Sequence, residues 1–255
     1  MPERPRPQKT KGSEHWLRVL VNEKPDLISK EIASEFGWQK KTDLKWVSPI
    51  KKDGYAEYYD QSFLDLLEIK NLKVPLNKFW PARGPRWDGL ARTDDGKIVL
   101  VEAKAHISEC VDYKSKASPK SYSLIKRSLD DAKRAFKANP DANWEEPFYQ
   151  HANRLAHLYY LHTLNKKDAY MVFINFANAD DISEPATRAQ WEGAVKLTNK
   201  CLGLGKSALS KRVADIIIDV EQLRNRDSSA CSRNVKKTQN LDIPTFVRKG
   251  IKLDG

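Results

Sequence analysis

The sequence predicts a mixed α/β fold, in which one β-sheet carries helices on both faces. The continuous apolar run Ala169–Phe176 is bounded by turn residues and is typical of a strand that is covered on both faces, and Val213–Val220 predicts another buried strand. Two strand-like segments, Arg86–Arg92 and 97–105, flank the turn sequence Thr93-Asp-Asp-Gly-Lys97, which is typical of a β-hairpin. Helical patterns precede the hairpin and separate the later strands, so the sheet is expected to be mixed.

Six helices are predicted from apolar residues at helical spacing. Their bounds are about residues 13–22, 26–36, 55–70, 121–138, 147–165 and 186–202. Gly37 is predicted to end the second helix and Asn139-Pro140 the fourth, because these residues favour helix termination. Residues 38–54 and 106–120 have no clear pattern and are predicted to be irregular.

The predicted organisation is a short tail followed by one domain. Residues 1–11 contain three prolines and four basic residues. Such a composition cannot bury enough apolar surface to fold, so these residues predict a disordered basic tail. Residues 12–255 show no internal repeat and no linker, and they predict a single α/β domain with its core at about residues 55–220.

Composition restricts the partner and the compartment. The 45 Lys and Arg residues outnumber the 34 Asp and Glu residues, and the net charge of +11 favours a polyanion, most commonly nucleic acid. No apolar run approaches the ~18 residues that span a bilayer, so no membrane partner is expected. The first residues lack the apolar core of a secretion signal. Three widely spaced cysteines fit neither a disulfide framework nor a zinc site, which predicts a cytoplasmic protein.

Asp88, Glu102 and Lys104 are the candidate catalytic residues. Glu102 and Lys104 stand two residues apart in a strand, so their side chains point to the same face. Two neighbouring carboxylates repel each other, and a divalent cation such as Mg²⁺ or Mn²⁺ relieves that repulsion. We therefore predict Asp88 and Glu102 as metal ligands, with the backbone carbonyl of Ala103 as a third. Lys104 would orient the attacking water or help to deprotonate it.

The hairpin turn decides whether Asp88 joins this site. A two-residue loop would place Asp88 opposite Ala103, on the wrong face of the strand. A three-residue loop, residues 94–96, would pair Thr93 with Lys97 and place Asp88 opposite Glu102. That loop favours glycine at its third position, which Gly96 occupies. The sequence therefore predicts the three-residue loop.

The segments Pro85-Arg-Trp-Asp88 and Val101-Glu-Ala-Lys104 resemble the motif of the PD-(D/E)XK nuclease superfamily. Two longer segments, Tyr149–His157 and Phe79–Gly89, resemble bacterial stand-alone members of that superfamily. The resemblance implies a restriction-endonuclease-like fold and a metal-dependent nuclease whose active triad is Asp88, Glu102 and Lys104. Because many such enzymes act as dimers, a homodimer is a further expectation.

The resemblance also implies residues outside the triad. Many members of the superfamily add a glutamate from an upstream helix as a metal ligand. Glu57 is the first candidate here, and Glu14 and Glu68 are alternatives. Some relatives carry a Gln-xxx-Tyr motif on a later helix, and Gln150 with Arg154 has that spacing on one helix face. We expect this pair to contact phosphate or the catalytic water.

Three lysines of the loop after the hairpin, Lys114, Lys116 and Lys120, are predicted to contact a nucleic-acid backbone. The leading hypothesis is a magnesium-dependent deoxyribonuclease. One alternative is a non-catalytic module on the same fold that binds nucleic acid or another partner. Another is a protein in which the ion-paired hairpin is purely structural. Three side chains that converge in a basic cleft would favour the enzyme, and a closed, buried ion pair would favour structure.

Overall fold

The computed structural model describes residues 10–39, 43–111 and 117–224, which belong to a compact unit that ends at Arg224. The unit has a mixed α/β architecture, as predicted, with one five-stranded sheet. Its strands are β1 (Leu44–Ser48), β2 (Gly89–Thr93), β3 (Ile98–Lys104), β4 (Ala169–Ala177) and β5 (Val213–Asp219). They lie in that order across the sheet. The pairs β1–β2 and β2–β3 are antiparallel, whereas β3–β4 and β4–β5 are parallel.

The sheet contains one strand that the sequence pattern did not predict. Residues 38–54 were expected to be irregular, but β1 forms within them and pairs with the outer edge of β2. The strand has only five residues, and its register with β2 shifts between Trp46 and Ser48. A strand this short and irregular leaves too few positions for an alternating pattern to be visible in the sequence.

The described residues contain seven α-helices. They are α1 (Gly12–Glu23), α2 (Pro25–Glu35), α3 (Gln61–Leu66), α4 (Leu76–Phe79), α5 (Pro119–Ala135), α6 (Tyr149–Tyr159) and α7 (Arg188–Cys201). The helix predicted over 55–70 is therefore wrong in extent, because only Gln61–Leu66 is helical. Tyr58 instead forms a β-bridge with Trp87, and Asp60 has a positive φ of 48°, which excludes a helix before Gln61.

Helices cover both faces of the sheet. On one face, α5 and α6 pack over Leu90, Leu100 and Met171, and α7 packs against β4 and β5. On the opposite face, α1 and α2 pack over a second apolar cluster that includes Val99 and Ile174. Because side chains alternate along a strand, Glu102 and Lys104 share the face of Leu100 and lie under α6.

The two predictions of domain organisation lie partly outside the described residues. The predicted tail, 1–11, is described only from Thr10 onward, and the end of the predicted domain, 225–255, is not described. Within the described ranges, no helix combines the length and the apolar character that a membrane crossing requires.

Candidate functional site

The turn between β2 and β3 is the three-residue loop that the sequence predicts. The backbone N–H of Thr93 donates to the carbonyl of Lys97 at 3.0 Å, and the N–H of Gly96 donates to the carbonyl of Thr93 at 3.1 Å. Gly96 has a φ of 90°, a conformation that a side chain would strain. The hydroxyl of Thr93 donates to the carboxylate of Asp95 and accepts the N–H of Lys97, which fixes the loop further.

The loop sets the register that brings the candidate residues together. Gly89 pairs with Val101 and Leu90 with Leu100, so the next position along the ladder places Asp88 opposite Glu102. The register prediction is thus confirmed. One oxygen of Asp88 accepts a 2.8 Å hydrogen bond from the backbone N–H of Ala103. The N–H and C=O of a strand residue point to the same side, so the Ala103 carbonyl also faces Asp88.

Glu102 is held between two cations. The ammonium of Lys104 lies 3.1 Å from one Glu102 oxygen. The guanidinium of Arg154, on α6, lies 2.6–2.7 Å from the other oxygen. All three side chains are less than 10% exposed, so this is a buried ion network rather than a surface one. The buried network exists because β3 delivers Glu102 and Lys104 to one face and α6 covers that face.

Gln150 is the group that links this network to solvent. It lies in the first turn of α6 and is exposed, and its side-chain oxygen accepts a 2.9 Å hydrogen bond from Lys104. Gln150 thus contacts one residue of the candidate triad, whereas its contact with phosphate or with the catalytic water stays a prediction.

Burial and mutual repulsion set the protonation of the two carboxyls. Burial, together with the charge of Glu102, raises the pKa of Asp88 well above its usual value. Burial also opposes ionisation of Glu102, but Arg154 and Lys104 outweigh it and lower the Glu102 pKa. Burial likewise opposes the charge of Lys104, yet the attraction of Glu102 and Asp88 raises its pKa. In this site, ionisation of Glu102 is therefore favoured, whereas ionisation of Asp88 is unfavourable.

Arg154 is a buried part of the ion network. It is 6% exposed, and its guanidinium donates to Glu102 and, at 3.0 Å, to the carbonyl of Arg86. Its Cζ also lies over the ring of Trp87, 5.1 Å from the centroid. The side chain is thus buried against Glu102 in the free protein, and its contact with nucleic acid stays a prediction.

The upstream glutamates differ in their placement. Glu57 is not helical, but it precedes Tyr58, whose bridge to Trp87 places Glu57 across from Asp88 in the register. Glu14 pairs with Arg18 within α1, and Glu68 forms a bidentate salt bridge with Arg92 at 2.5–2.6 Å. Glu57 therefore stays the first candidate of the three.

The predicted lysines of the loop are only partly described. Lys114 and Lys116 lie outside the described residues. Lys120 is exposed in the first turn of α5, where it is accessible to an anionic partner.

A small cavity beside Lys104 is lined by residues that were not predicted as site residues from the sequence. It has a volume of about 20 Å³, enough for a single water, and its walls include His151, Phe173 and Asp215. The ring of His151 stacks on Phe173 at 3.8 Å, and burial lowers its pKa to about 3. Phe173 of β4 pairs with Glu102 of β3 on one side and with Asp215 of β5 on the other. The register of these strands would therefore have identified Asp215 as a neighbour of the site.

The donor set fits a hard divalent cation. It consists of the carboxylates of Asp88 and Glu102 and the carbonyl of Ala103, all oxygen ligands of the kind that Mg²⁺ prefers. The second oxygen of Asp88 accepts no hydrogen bond from the described residues, so it is available to a cation. Within the described ranges, no three His, Cys, Asp or Glu side chains converge as a metal cluster. Mg²⁺ commonly binds through only one or two carboxylates and keeps several waters, so two suffice.

Comparisons with protein-family models, with curated proteins and with solved structures find no match for this chain.

Proposed function

We propose that this protein is a metal-dependent nuclease that hydrolyses phosphodiester bonds of DNA. One observation carries the proposal: the hairpin register brings Asp88 opposite Glu102, with Lys104 on the same face. Two carboxylates and an amine at one end of a strand pair are the groups that metal-dependent phosphodiester hydrolysis uses. The same three residues carry the resemblance to the PD-(D/E)XK superfamily.

The element order supports a restriction-endonuclease-like core. An antiparallel hairpin, β2–β3, is followed by the helices α5 and α6 and then by β4, which lies parallel to β3. This is the helix, hairpin, helix, strand order that the resemblance implies. Glu102 and Lys104 lie at the carboxyl end of β3, where Lys104 donates a hydrogen bond to the exposed Gln150 of α6.

Each residue of the site has a distinct proposed role. Asp88 and Glu102, with the carbonyl of Ala103 and with Glu57 as a further candidate, would hold Mg²⁺ or Mn²⁺. A metal held by these residues would supply a bound water of lowered pKa and positive charge to offset that of the phosphoryl oxygens. Lys104 orients the attacking water with its ammonium, and Gln150 fixes the position of that ammonium through their hydrogen bond. The net charge of +11 attracts the polyanionic substrate.

A second candidate function is a non-catalytic nucleic-acid-binding or partner-binding module. It is favoured by the buried pairing of Glu102, since both of its oxygens already contact cations. Asp88 favours the enzyme, because a second carboxylate that repels Glu102 would not stabilise a purely structural ion network.

Cleavage assays separate the two functions. Supercoiled plasmid and single-stranded DNA are incubated with Mg²⁺ or Mn²⁺, with and without EDTA, and with the wild-type protein or Lys104→Ala. Lys45→Ala is the matched control, because Lys45 is exposed and pairs with Asp94 at the turn end of the hairpin, away from the site. The proposal expects metal-dependent cleavage by the wild type and by Lys45→Ala, abolished by EDTA and by Lys104→Ala.

The other outcomes decide against the enzyme. Tight, salt-sensitive DNA binding by a folded protein that cleaves neither substrate would support the binding module instead. Cleavage that survives Lys104→Ala would show that the activity does not come from this site.

A further inference from the structure

Arg154 contacts three different groups at the site. From α6 its guanidinium reaches one oxygen of Glu102 at 2.6–2.7 Å and the carbonyl of Arg86 at 3.0 Å. Its flat face lies over the ring of Trp87, 5.1 Å from the centroid. Three separate partners therefore fix a buried side chain against the carboxylate that is expected to bind metal.

Arg154 also determines the balance of charge at the site. Asp88 and Glu102 contribute two negative formal charges to the site, and Lys104 and Arg154 contribute two positive ones. With both carboxyls ionised, as metal binding requires, the buried set is formally neutral, and a proton on Asp88 would make it more positive still. A divalent cation would leave two uncompensated positive charges in a poorly solvated place, which is costly. A phosphodiester with its neighbouring phosphate supplies the negative charge that offsets them.

We infer that Arg154 is a positioning residue that makes metal binding depend on phosphate binding. It holds Glu102 in place and neutralises it, so that the free protein binds a divalent metal weakly. Metal and phosphate then bind together, each strengthening the other. This inference rests on the proposed function, because it assumes that Asp88 and Glu102 are the metal ligands.

Calorimetric titration of the full chain with Mn²⁺ tests the coupling without measuring activity. The titration is done alone and in the presence of a nucleoside 3′,5′-bisphosphate, which presents phosphates without a bond to be cleaved. The expected result is weak binding of Mn²⁺ alone and binding tighter by about tenfold or more with the bisphosphate, a typical strength for coupled sites. By linkage, Mn²⁺ strengthens bisphosphate binding by the same factor.

Two substitutions separate the charge of Arg154 from its shape. Arg154→Gln removes the charge and is expected to tighten the binding of Mn²⁺ alone by about tenfold, with a smaller gain from the bisphosphate. Arg154→Lys keeps the charge and should bind Mn²⁺ as weakly as the wild type. Arg212→Gln is the matched control, because Arg212 pairs with Asp168 at the opposite end of β4 and should change nothing.

The inference is overturned if the bisphosphate does not change the Mn²⁺ affinity of the wild type. It is equally overturned if Arg154→Gln and Arg154→Lys tighten Mn²⁺ binding alike. Should Arg154→Gln fail to fold, the wild-type coupling and Arg154→Lys still decide the matter. Metal-dependent cleavage without this coupling would refute only the inference, whereas absence of both cleavage and Mn²⁺ binding would refute the proposed function as well.

Discussion

The ammonium of Lys104 donates a 2.9 Å hydrogen bond to the side-chain oxygen of Gln150, which joins the end of β3 to the first turn of α6. Lys104 is buried and Gln150 is exposed, so the bond lies at the boundary between the ion network and solvent. An ammonium on a flexible stem needs such an anchor to present one donor in a fixed direction.

Gln150→Ala should therefore lower the rate of DNA cleavage without unfolding the protein. Hydrogen bonds to charged groups contribute about 1.5–3 kcal/mol, so we expect kcat to fall by about tenfold or more, with little change in KM. Steady-state kinetics measure the effect, and Gln222→Ala, an exposed glutamine after β5, is the control. A loss confined to KM would mean that Gln150 contacts the substrate and does not position Lys104.

Arg154→Leu should strongly destabilise the fold. The substitution leaves Glu102 buried with Lys104 alone, and breaking a buried pair in this way costs about 3–5 kcal/mol. Adding Glu102→Leu removes the carboxylate that lost its arginine partner, so the double variant should be more stable than Arg154→Leu. Urea unfolding of both single variants and the double variant completes the cycle. Additive losses would mean that the two side chains contribute independently, contrary to their 2.6–2.7 Å contact.

The part of the site that could be predicted from the sequence is the part that local rules determine. Strand alternation places Glu102 and Lys104 on one face, and the glycine requirement at Gly96 selects the loop that brings Asp88 opposite Glu102. Strand β4 was recognisable because a buried parallel strand is a continuous apolar run, whereas β5 is an apolar strand in which every second residue is partly exposed.

The part that could not be predicted depends on contacts between distant segments. Arg154 meets Glu102 across 52 residues of sequence, and nothing local distinguishes it from an exposed arginine on a polar helix face. Strand β1 forms because β2 offers an unpaired edge, not because its own residues alternate. The cavity beside Lys104 requires β5 to stand next to β4 in a known register, which brings Asp215 into line with Phe173.

The hairpin turn offers a test that is independent of catalysis. Gly96 has a φ of 90°, so Gly96→Ala forces a side chain into a strained conformation and should cost about 1 kcal/mol or more. Gly193 lies inside α7, and a methyl group added there meets no atom within 4 Å. Gly193→Ala should therefore stabilise the protein by about 0.5–1 kcal/mol. The urea midpoints should move in opposite directions; a tolerated Gly96→Ala would contradict the loop conformation.

Two buried groups should give the stability of this protein opposing dependences on pH. His157 is buried among the rings of Phe79, Trp80 and Trp87, and burial lowers its pKa from 6.5 to about 3. Between these values the unfolded chain binds a proton that the folded protein does not, so stability is complete above pH 6.5 and falls as the pH decreases through that window. Burial raises the pKa of Asp215 from 3.8 to about 6, so between those values the folded protein holds the extra proton. Its contribution is therefore present at low pH and is lost as the pH rises through 6.

His157→Gln keeps a side-chain N–H for the carbonyl of Asn153, the partner of His157 in the wild type, but cannot titrate. Its stability should fall less steeply than that of the wild type between about pH 6 and about pH 4, by up to one proton or about 1.4 kcal/mol per pH unit. Asp215→Asn should instead make the loss at low pH steeper, because it removes the group that favours the folded state there. Urea unfolding over this pH range measures both slopes. Parallel curves for the wild type and His157→Gln would mean that His157 takes up its proton without unfolding, and that the site under α6 opens to water.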